Sequence, residues 1–144
     1  MKNFLNHLIT SAVLLASLGA VTGAVLNAQT FNLHAVVPFA WQINNHQLNA
    51  GDYQITKDSS SPVVTMRSND SGAGMFLQVS GGARGDSATQ LVFHRYGDQY
   101  FLASIVGTDG IVSRVPVSKA ERMLQSEQPR EMATVLVDIK PLFN

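Results

Sequence analysis

Apolar and polar residues alternate with a period of two along most of the chain beyond residue 30. This period places apolar side chains on one face of an extended strand and polar side chains on the other. The alternation predicts nine strands, at residues 31–37, 39–43, 53–56, 62–67, 75–79, 91–96, 100–106, 112–117 and 134–139. Strands this short, with turn residues between them, predict an all-β fold, either an antiparallel β-sandwich or a partly open small barrel.

Turn residues connect the predicted strands and leave no room for crossover helices between most of them. Asn44-Asn45 suits a turn because asparagine tolerates a positive φ, and Gly97-Asp98 joins two strands as a hairpin. Three further loops rich in Ser, Gly and Asp are typical of hairpin connections: residues 58–62, 68–74 and 81–88. No linker interrupts the mature chain, so residues 29–144 are predicted to form a single β-domain.

The apolar faces of the predicted strands define one hydrophobic core. Burial of each large side chain contributes about 1.5–3 kcal/mol, and a chain of this length buries enough surface to fold without disulfide bonds. We expect the core to include Leu33, Ala35, Phe39, Trp41, Ile55, Val64, Leu77, Phe93, Phe101, Ile105 and Val137.

One segment departs from the strand pattern and predicts a short helix. Ser118 is followed three residues later by Glu121, which is the spacing of a capping box, with the Glu121 carboxylate reaching back to the Ser118 backbone. Apolar residues then recur at helical spacing on one face: Ala120, Met123 and Leu124. We expect a helix over residues 119–127, laid over an edge or an open end of the sheet.

Residues 1–28 carry the pattern of a secretory signal peptide. Lys2 is the only charged residue in this segment, an apolar stretch covers residues 8–26, and small residues follow it. We expect cleavage after Ala28, with Ala24 as a second candidate position, and a secreted or periplasmic mature protein. The alternative is an uncleaved segment that anchors the β-domain in the membrane, because about 20 apolar residues can span a bilayer.

Composition excludes several classes of function. The chain has ten basic and ten acidic residues, so it has no excess of positive charge with which to bind a nucleic-acid backbone. It contains no cysteine, which excludes disulfide bonds, iron–sulfur clusters, zinc sites with cysteine ligands and thiol catalysis. An exported chain of this size without cysteine suits the bacterial envelope or periplasm, and after signal cleavage we expect no membrane contact.

The sequence carries no recognisable catalytic or cofactor motif. His34, His46 and His94 lie far apart, and none has a second histidine two residues away, so no metal site is predicted. The glycine-rich segments match neither a nucleotide-binding loop nor the turn around a hydrolase serine, and no cofactor is expected. We therefore predict a protein without catalytic activity. The rival hypothesis is a small hydrolase-like enzyme with its site near His94, Arg95 and Asp98.

Aromatic residues outside the predicted core indicate a binding surface. Phe76, Tyr96 and Tyr100 fall on the minority faces of their strands and are candidates to line a concave surface. Arginine and tyrosine are enriched where binding energy concentrates, so we expect the surface at His94, Arg95, Tyr96 and Tyr100. The predicted role is binding or structural, and the expected partner is an unidentified protein, a glycan or an apolar ligand.

Five segments of the mature chain form a recognisable set: Val37-Pro38-Phe39, Leu48-x-Ala50-Gly51-Asp52-Tyr53-x-Ile55, Leu91–Gly97, Tyr100-Phe101-Leu102 and Ser118–Arg122. This set resembles a family of small exported bacterial β-proteins, notably of acidobacteria, that has no assigned activity. Family members usually have proline before the Ala-Gly pair, where this chain has Asn49. The resemblance implies an exported β-protein and identifies no catalytic residue.

Overall fold

The computed structural model describes residues 30–58, 60–85, 88–129 and 131–142. Within these ranges the chain is mostly β with one short helix, and its strands form a curled, half-barrel sheet. No helix in this part of the chain has the length and apolar character needed to cross a membrane. The predicted signal peptide, residues 1–28, lies outside the described residues. The strands are β1 (Thr30–Val37), β2 (Trp41–Ile43), β3 (His46–Leu48), β4 (Gly51–Asp58), β5 (Val63–Ser68), β6 (Gly74–Gln78), β7 (Ser80–Arg84), β8 (Gln90–Tyr96), β9 (Gln99–Val106), β10 (Ile111–Arg114) and β11 (Met132–Pro141), and the helix is α1 (Lys119–Glu127).

Hydrogen-bonded pairing joins nine of these strands in the order β3-β2-β9-β8-β11-β1-β4-β5-β6. β10 pairs with β9 on one side and with β7 on the other. The pairs are antiparallel, as predicted, apart from a short parallel contact between Gln42 of β2 and Phe101 of β9. β2 and β10 share one edge of β9, since β10 pairs with residues 104–106 farther along the strand.

Two stretches of chain change partners along their length. β11 pairs with β8 through residues 132–138 and then with β1 through residues 139–141. β6 and β7 are separated by Val79 alone, yet β6 pairs with β5 and β7 pairs with β10. The chain from β6 to β7 therefore connects β5, near one end of the pairing order, to β10, which pairs with β9 near the other end.

The core lies on the inner face of the curled sheet. Every predicted core residue except Phe39 is buried, and the faces assigned from the alternation are confirmed for all of them but Phe39 and Phe101. Phe101 is buried on the outer face, opposite His94, because an irregularity in the β8–β9 register between Val92 and Phe93 interrupts the alternation. Phe39 is partly buried and packs against the core, with its ring nearly perpendicular to that of Phe93 at 5.2 Å. Trp41 makes similar edge contacts with Phe93 and Tyr53, at 5.5 and 5.3 Å. Aromatic pairs of this kind contribute about 0.5–1.5 kcal/mol each beyond their buried area.

The structure contains two strands that the alternation does not predict. β3 is only three residues long and follows the turn at Asn44, whose φ of 53° confirms the predicted turn. β7 occupies part of the stretch predicted as a loop, residues 81–88, and its sequence Ser-Gly-Gly-Ala-Arg has no apolar alternation. A Cβ on Gly82 would lie 2.6 Å from the carbonyl oxygen of Val112 in β10. Glycine is needed there because the two backbones approach closely.

The helix has the predicted bounds but buries a different residue. Ser118 caps it, because its hydroxyl accepts a hydrogen bond from the backbone N–H of Glu121 at 3.1 Å. The expected apolar face is wrong, since Ala120 and Met123 are exposed and Leu124 is only half-buried. Glu121 is buried instead. It contacts β8, which lies between β9 and β11, so the first turn of α1 rests on a face of the sheet and not on an edge.

Candidate functional site

The four residues predicted as a binding surface lie together in the hairpin of β8 and β9. A two-residue turn, Gly97-Asp98, joins the strands as predicted. Gly97 has a φ of 56°, which suits glycine at the first position of a hairpin turn. The register sets Arg95 opposite Tyr100. Because side chains alternate along a strand, neighbouring residues of this hairpin point to opposite faces of the sheet.

This alternation divides the four residues into two pairs. His94 and Tyr96 lie on the outer face, whereas Arg95 and Tyr100 lie at the rim of the inner face. Tyr96 is only 3% exposed, and its ring meets the ring of Phe101 at 73° and 6.0 Å. Tyr96 is therefore a packing residue of the outer face and presents almost no surface to a ligand.

His94 is held by the buried carboxylate of Glu121. Nδ1 of His94 lies 2.7 Å from Oε1 of Glu121, which is 3% exposed. The capping box predicts that this carboxylate returns to the backbone of Ser118, and the structure shows it bonded to the imidazole. Asp98, the acid of the rival enzymatic hypothesis, lies exposed in the turn. The contact between His94 and Glu121 fixes the start of α1 on the outer face of β8.

Three side chains stack on one another at the inner rim. The guanidinium carbon of Arg95 lies 5.9 Å from the centre of the Tyr100 ring, which is itself stacked on Phe39 at 3.9 Å and 16°. Nε of Arg95 donates a hydrogen bond to the carbonyl of Gly97 at 2.8 Å. Arg95 is exposed, while Tyr100 and Phe39 are half-buried. We call Arg95, Tyr100 and Phe39 the Arg95 stack.

A shallow depression of about 250 Å³ lies on the outer face beside His94. Ser104 and Arg114 line it together with His94 and Glu121. A serine, a histidine and an acid are the groups of a hydrolase triad, in which the acid orients Nδ1 of the histidine and the serine meets Nε2. The strand register separates two of these groups, because Ser104 lies opposite Val92 and not opposite His94.

The other histidines of the described chain lie away from the hairpin. Nε2 of His34 lies 2.6 Å from Oδ2 of Asp52, and the side-chain amide of Asn69 donates to the other oxygen of that carboxylate at 2.5 Å. His46 is exposed at the start of β3. Within the described ranges, no group of three or more His, Cys, Asp or Glu residues is arranged to hold a metal ion.

Two residues of this region cannot be assigned from the sequence alone. Phe39 is predicted as a core residue, and its stacking on Tyr100 depends on how two distant segments meet. Glu121 is predicted only as part of a helix cap, yet it is the acid that meets His94. The sequence signal for Glu121 is its spacing from Ser118, which predicts the helix cap and not the contact with His94.

Comparison with known proteins adds no assignment to this geometry. No protein-family model, no curated protein and no solved structure matches the chain. The resemblance to small exported bacterial β-proteins stays a prediction from the sequence motifs.

Proposed function

We propose that the protein is an exported binding domain of the bacterial cell envelope, without catalytic activity, whose ligand docks on the Arg95 stack. The observation that carries the proposal is the exposed guanidinium of Arg95 above the half-buried rings of Tyr100 and Phe39. This arrangement sets a cation beside aromatic surface at the end of a hairpin. Arginine and tyrosine are the residue types in which the binding energy of interfaces concentrates.

Contacts within the protein position the side chains of the Arg95 stack. Arg95 is fixed by its hydrogen bond to Gly97 and by its position over Tyr100. Tyr100 is fixed by Phe39, which in turn contacts Phe93 in the core. Side chains that are already ordered lose little conformational entropy on binding, so more of the contact energy remains as affinity.

Three kinds of ligand suit this surface: a partner protein, a glycan and an apolar small molecule. Aromatic rings offer a flat apolar face, and a guanidinium offers five N–H donors in one plane. Both features are enriched in protein–protein interfaces. A protein of the envelope is therefore the first ligand to test.

Export is part of the same proposal. It is supported by the signal pattern of residues 1–28 and by the absence of cysteine. N-terminal sequencing of the protein purified from its native host should begin at Gln29. A chain that keeps residues 1–28 and stays in the membrane fraction would instead establish the anchored alternative.

For the architecture we propose a partly open barrel in preference to a sandwich of two separate sheets. The support comes from β11 and from the β6–β7 stretch, which pair with strands on both halves of the fold, as corner strands of barrels do. The pairing leads from β9 through β8, β11, β1, β4 and β5 to β6, and from β7 through β10 back to β9. It is open between β3 and β6, which have no further partner among the described strands.

Binding is tested by affinity measurements on matched variants. Cross-linking in the native host followed by mass spectrometry identifies a partner, and titration calorimetry then gives its affinity. The double substitution Arg95→Ala with Tyr100→Ala should weaken binding about tenfold or more with the circular dichroism spectrum unchanged. Asp98→Ala, an exposed change in the same hairpin, is the control and should bind like the unaltered protein. Equal affinity of the double variant and the control would overturn the proposed surface. Purified peptidoglycan and an apolar dye, titrated in the same way, test the other two ligand classes.

One observation favours the hydrolase hypothesis as a second candidate function. The buried Glu121 bonds Nδ1 of His94, which is the nitrogen that an acid orients in a triad, and Ser104 lines the same depression. Turnover of a chromogenic ester by the purified protein, abolished by both His94→Ala and Ser104→Ala, would establish this function. Turnover that survives Ser104→Ala would exclude the triad.

A further inference from the structure

One side of β6 presents backbone groups that no described strand pairs with. The N–H of Val79 donates to the carbonyl of Pro62 at 2.8 Å, so the backbone of Val79 faces the β5 side. In an antiparallel ladder the residues that face the partner alternate, so every second residue before Val79 faces β5 as well. The N–H and C=O groups that point away from β5 therefore belong to Gly74, Phe76 and Gln78.

Pro116 accounts for the missing neighbour of β6. β10 pairs with β7 as far as Arg114 opposite Ser80, and extending this ladder would set Pro116 opposite Gln78. Proline has no N–H to donate, so the ladder cannot continue there. The N–H of Val115 bonds to β9 instead. The β10 ladder thus ends at Ser80, and β10 does not pair with β6.

β6 also lacks the features that keep most edge strands from pairing. Natural edges are commonly protected by charged side chains, by proline or by a very short strand. The sequence of β6, Gly-Met-Phe-Leu-Gln, has neither charge nor proline. Phe76 at its centre is 79% exposed. β3, at the other end of the pairing order, is protected by its length of three residues.

We propose that β6 pairs with β6 of a second copy of this chain, antiparallel about a two-fold axis at Phe76. Backbone donors and acceptors that alternate along an edge are matched by another extended strand. In this register Phe76 faces its own equivalent, and Gly74 faces Gln78 of the other copy. All three outward-facing residues then have partners, whereas a shift of the register by two residues leaves one of them unpaired.

The side chains around β6 make a second copy a suitable occupant. On the next strand, Arg67 lies beside Gly74 and Val63 lies beside Gln78. In the proposed pairing, Arg67 and Gly74 of one copy lie in line with Gln78 and Val63 of the other copy. No two like charges therefore lie side by side across the interface. The two Phe76 rings become a cross-strand aromatic pair, and each removes apolar surface of the other from water. The pairing is self-complementary, as a two-fold interface requires.

The chain contains no cysteine, so a single introduced thiol reports the pairing directly. In the proposed register the two Cα atoms at position 76 lie about 5.5 Å apart, within the range that a disulfide spans. Phe76→Cys should form a covalent dimer rapidly under mild oxidation. Leu136→Cys is the matched control, because Leu136 is an apolar residue on β11 that is 55% exposed and far from the edge in the pairing order.

Sedimentation velocity on the purified protein supplies the second measurement. We expect the unaltered protein to pass from monomer to dimer over about a hundredfold rise in concentration. Phe76→Lys, which places two like charges opposite each other across the axis, should stay monomeric, and Leu136→Lys should dimerise normally.

An unaltered protein that stays monomeric at every concentration would overturn the pairing. So would a dimer that survives Phe76→Lys, or a Phe76→Cys variant that cross-links no faster than Leu136→Cys. These outcomes do not depend on Arg95, so they leave the proposed ligand site untouched.

Discussion

Nδ1 of His94 lies 2.7 Å from Oε1 of Glu121, although 27 positions separate the two residues in the sequence. The pair joins two distant segments of the chain, Leu91–Gly97 and Ser118–Arg122. It also joins two parts of the fold, because His94 lies on the outer face of β8 and Glu121 lies in the first turn of α1. A buried carboxylate needs such a partner, since leaving it uncompensated destabilises a protein strongly.

Removing the imidazole should therefore destabilise the domain. We expect His94→Ala to lower the free energy of unfolding by about 1–3 kcal/mol, because Glu121 stays buried and loses its hydrogen bond. His46→Ala is the matched control, since His46 is exposed in β3, and it should change this free energy by less than about 0.5 kcal/mol. Urea unfolding, followed by the fluorescence of the single tryptophan, measures both variants. Equal effects would mean that the pair adds nothing to stability.

The helix cap gives a second test of the same region. Ser118→Ala removes the hydroxyl that accepts from the Glu121 N–H and should lower the free energy of unfolding by about 1 kcal/mol. Ser126 lies near the other end of α1, where its hydroxyl donates to the carbonyl of Met123. Ser126→Ala should stay within about 0.5 kcal/mol of the unaltered protein. An unchanged urea midpoint for Ser118→Ala would contradict the capping role.

The close approach of β7 to β10 predicts different effects at two neighbouring glycines. A Cβ at position 82 would lie 2.6 Å from the Val112 carbonyl oxygen, so Gly82→Ala should cost about 1–3 kcal/mol by forcing the strands apart. A Cβ on Gly81 would meet no atom within 4 Å, so Gly81→Ala should change stability by less than about 0.5 kcal/mol. Thermal melts of the two variants separate these outcomes, and similar melting temperatures would contradict the close backbone contact.

Tyr53 predicts a loss of stability at alkaline pH. Burial raises the pKa of Tyr53 above its ordinary value of about 10, and the Asp70 carboxylate raises this pKa further. A raised pKa means that the folded state holds the proton more tightly than the unfolded state. The contribution is therefore complete below about pH 10 and is lost as the pH rises through the folded-state pKa.

The matched variant for this pH dependence is Tyr53→Phe. It loses the hydrogen bond from the Tyr53 hydroxyl to the Asn49 carbonyl, so it should be about 1 kcal/mol less stable at neutral pH. Its stability should then fall less steeply than that of the unaltered protein above about pH 10. Urea midpoints measured across this range give both slopes, and parallel slopes would contradict the raised pKa.

Much of the sheet is predictable because one face of most strands is buried. Alternation identifies the side of β1 that holds Leu33 and Ala35, and it identifies Phe93 on β8 in the same way. Alternation does not predict β7, because the packing of β7 against β10 depends on the absence of a side chain at Gly82. The bounds of α1 follow from local capping chemistry. The face that α1 buries does not, because the position of His94 on another element determines it.

The candidate site is predictable as a group of neighbours but not as a surface. The sequence sets His94, Arg95 and Tyr96 side by side, and a hairpin brings Tyr100 opposite them. Tyr96 is predicted to line a binding surface. Tyr96 is nevertheless buried, because the outer face of this hairpin packs as well as the inner one, and its ring meets Phe101 there. Which hairpin residues are accessible therefore depends on tertiary packing that no local pattern encodes.

Under the proposed function, this hairpin keeps its structural and its binding residues on opposite faces. Two substitutions at neighbouring positions test it, each measured for unfolding free energy and for affinity toward the partner identified by cross-linking. We predict that His94→Ala lowers the free energy of unfolding by about 1–3 kcal/mol. Under conditions in which this variant is folded, it should bind the partner with normal affinity. Arg95→Ala should keep its stability to within about 1 kcal/mol and bind about tenfold more weakly. Normal binding by Arg95→Ala, or weakened binding by folded His94→Ala, would contradict the division of the hairpin into two faces.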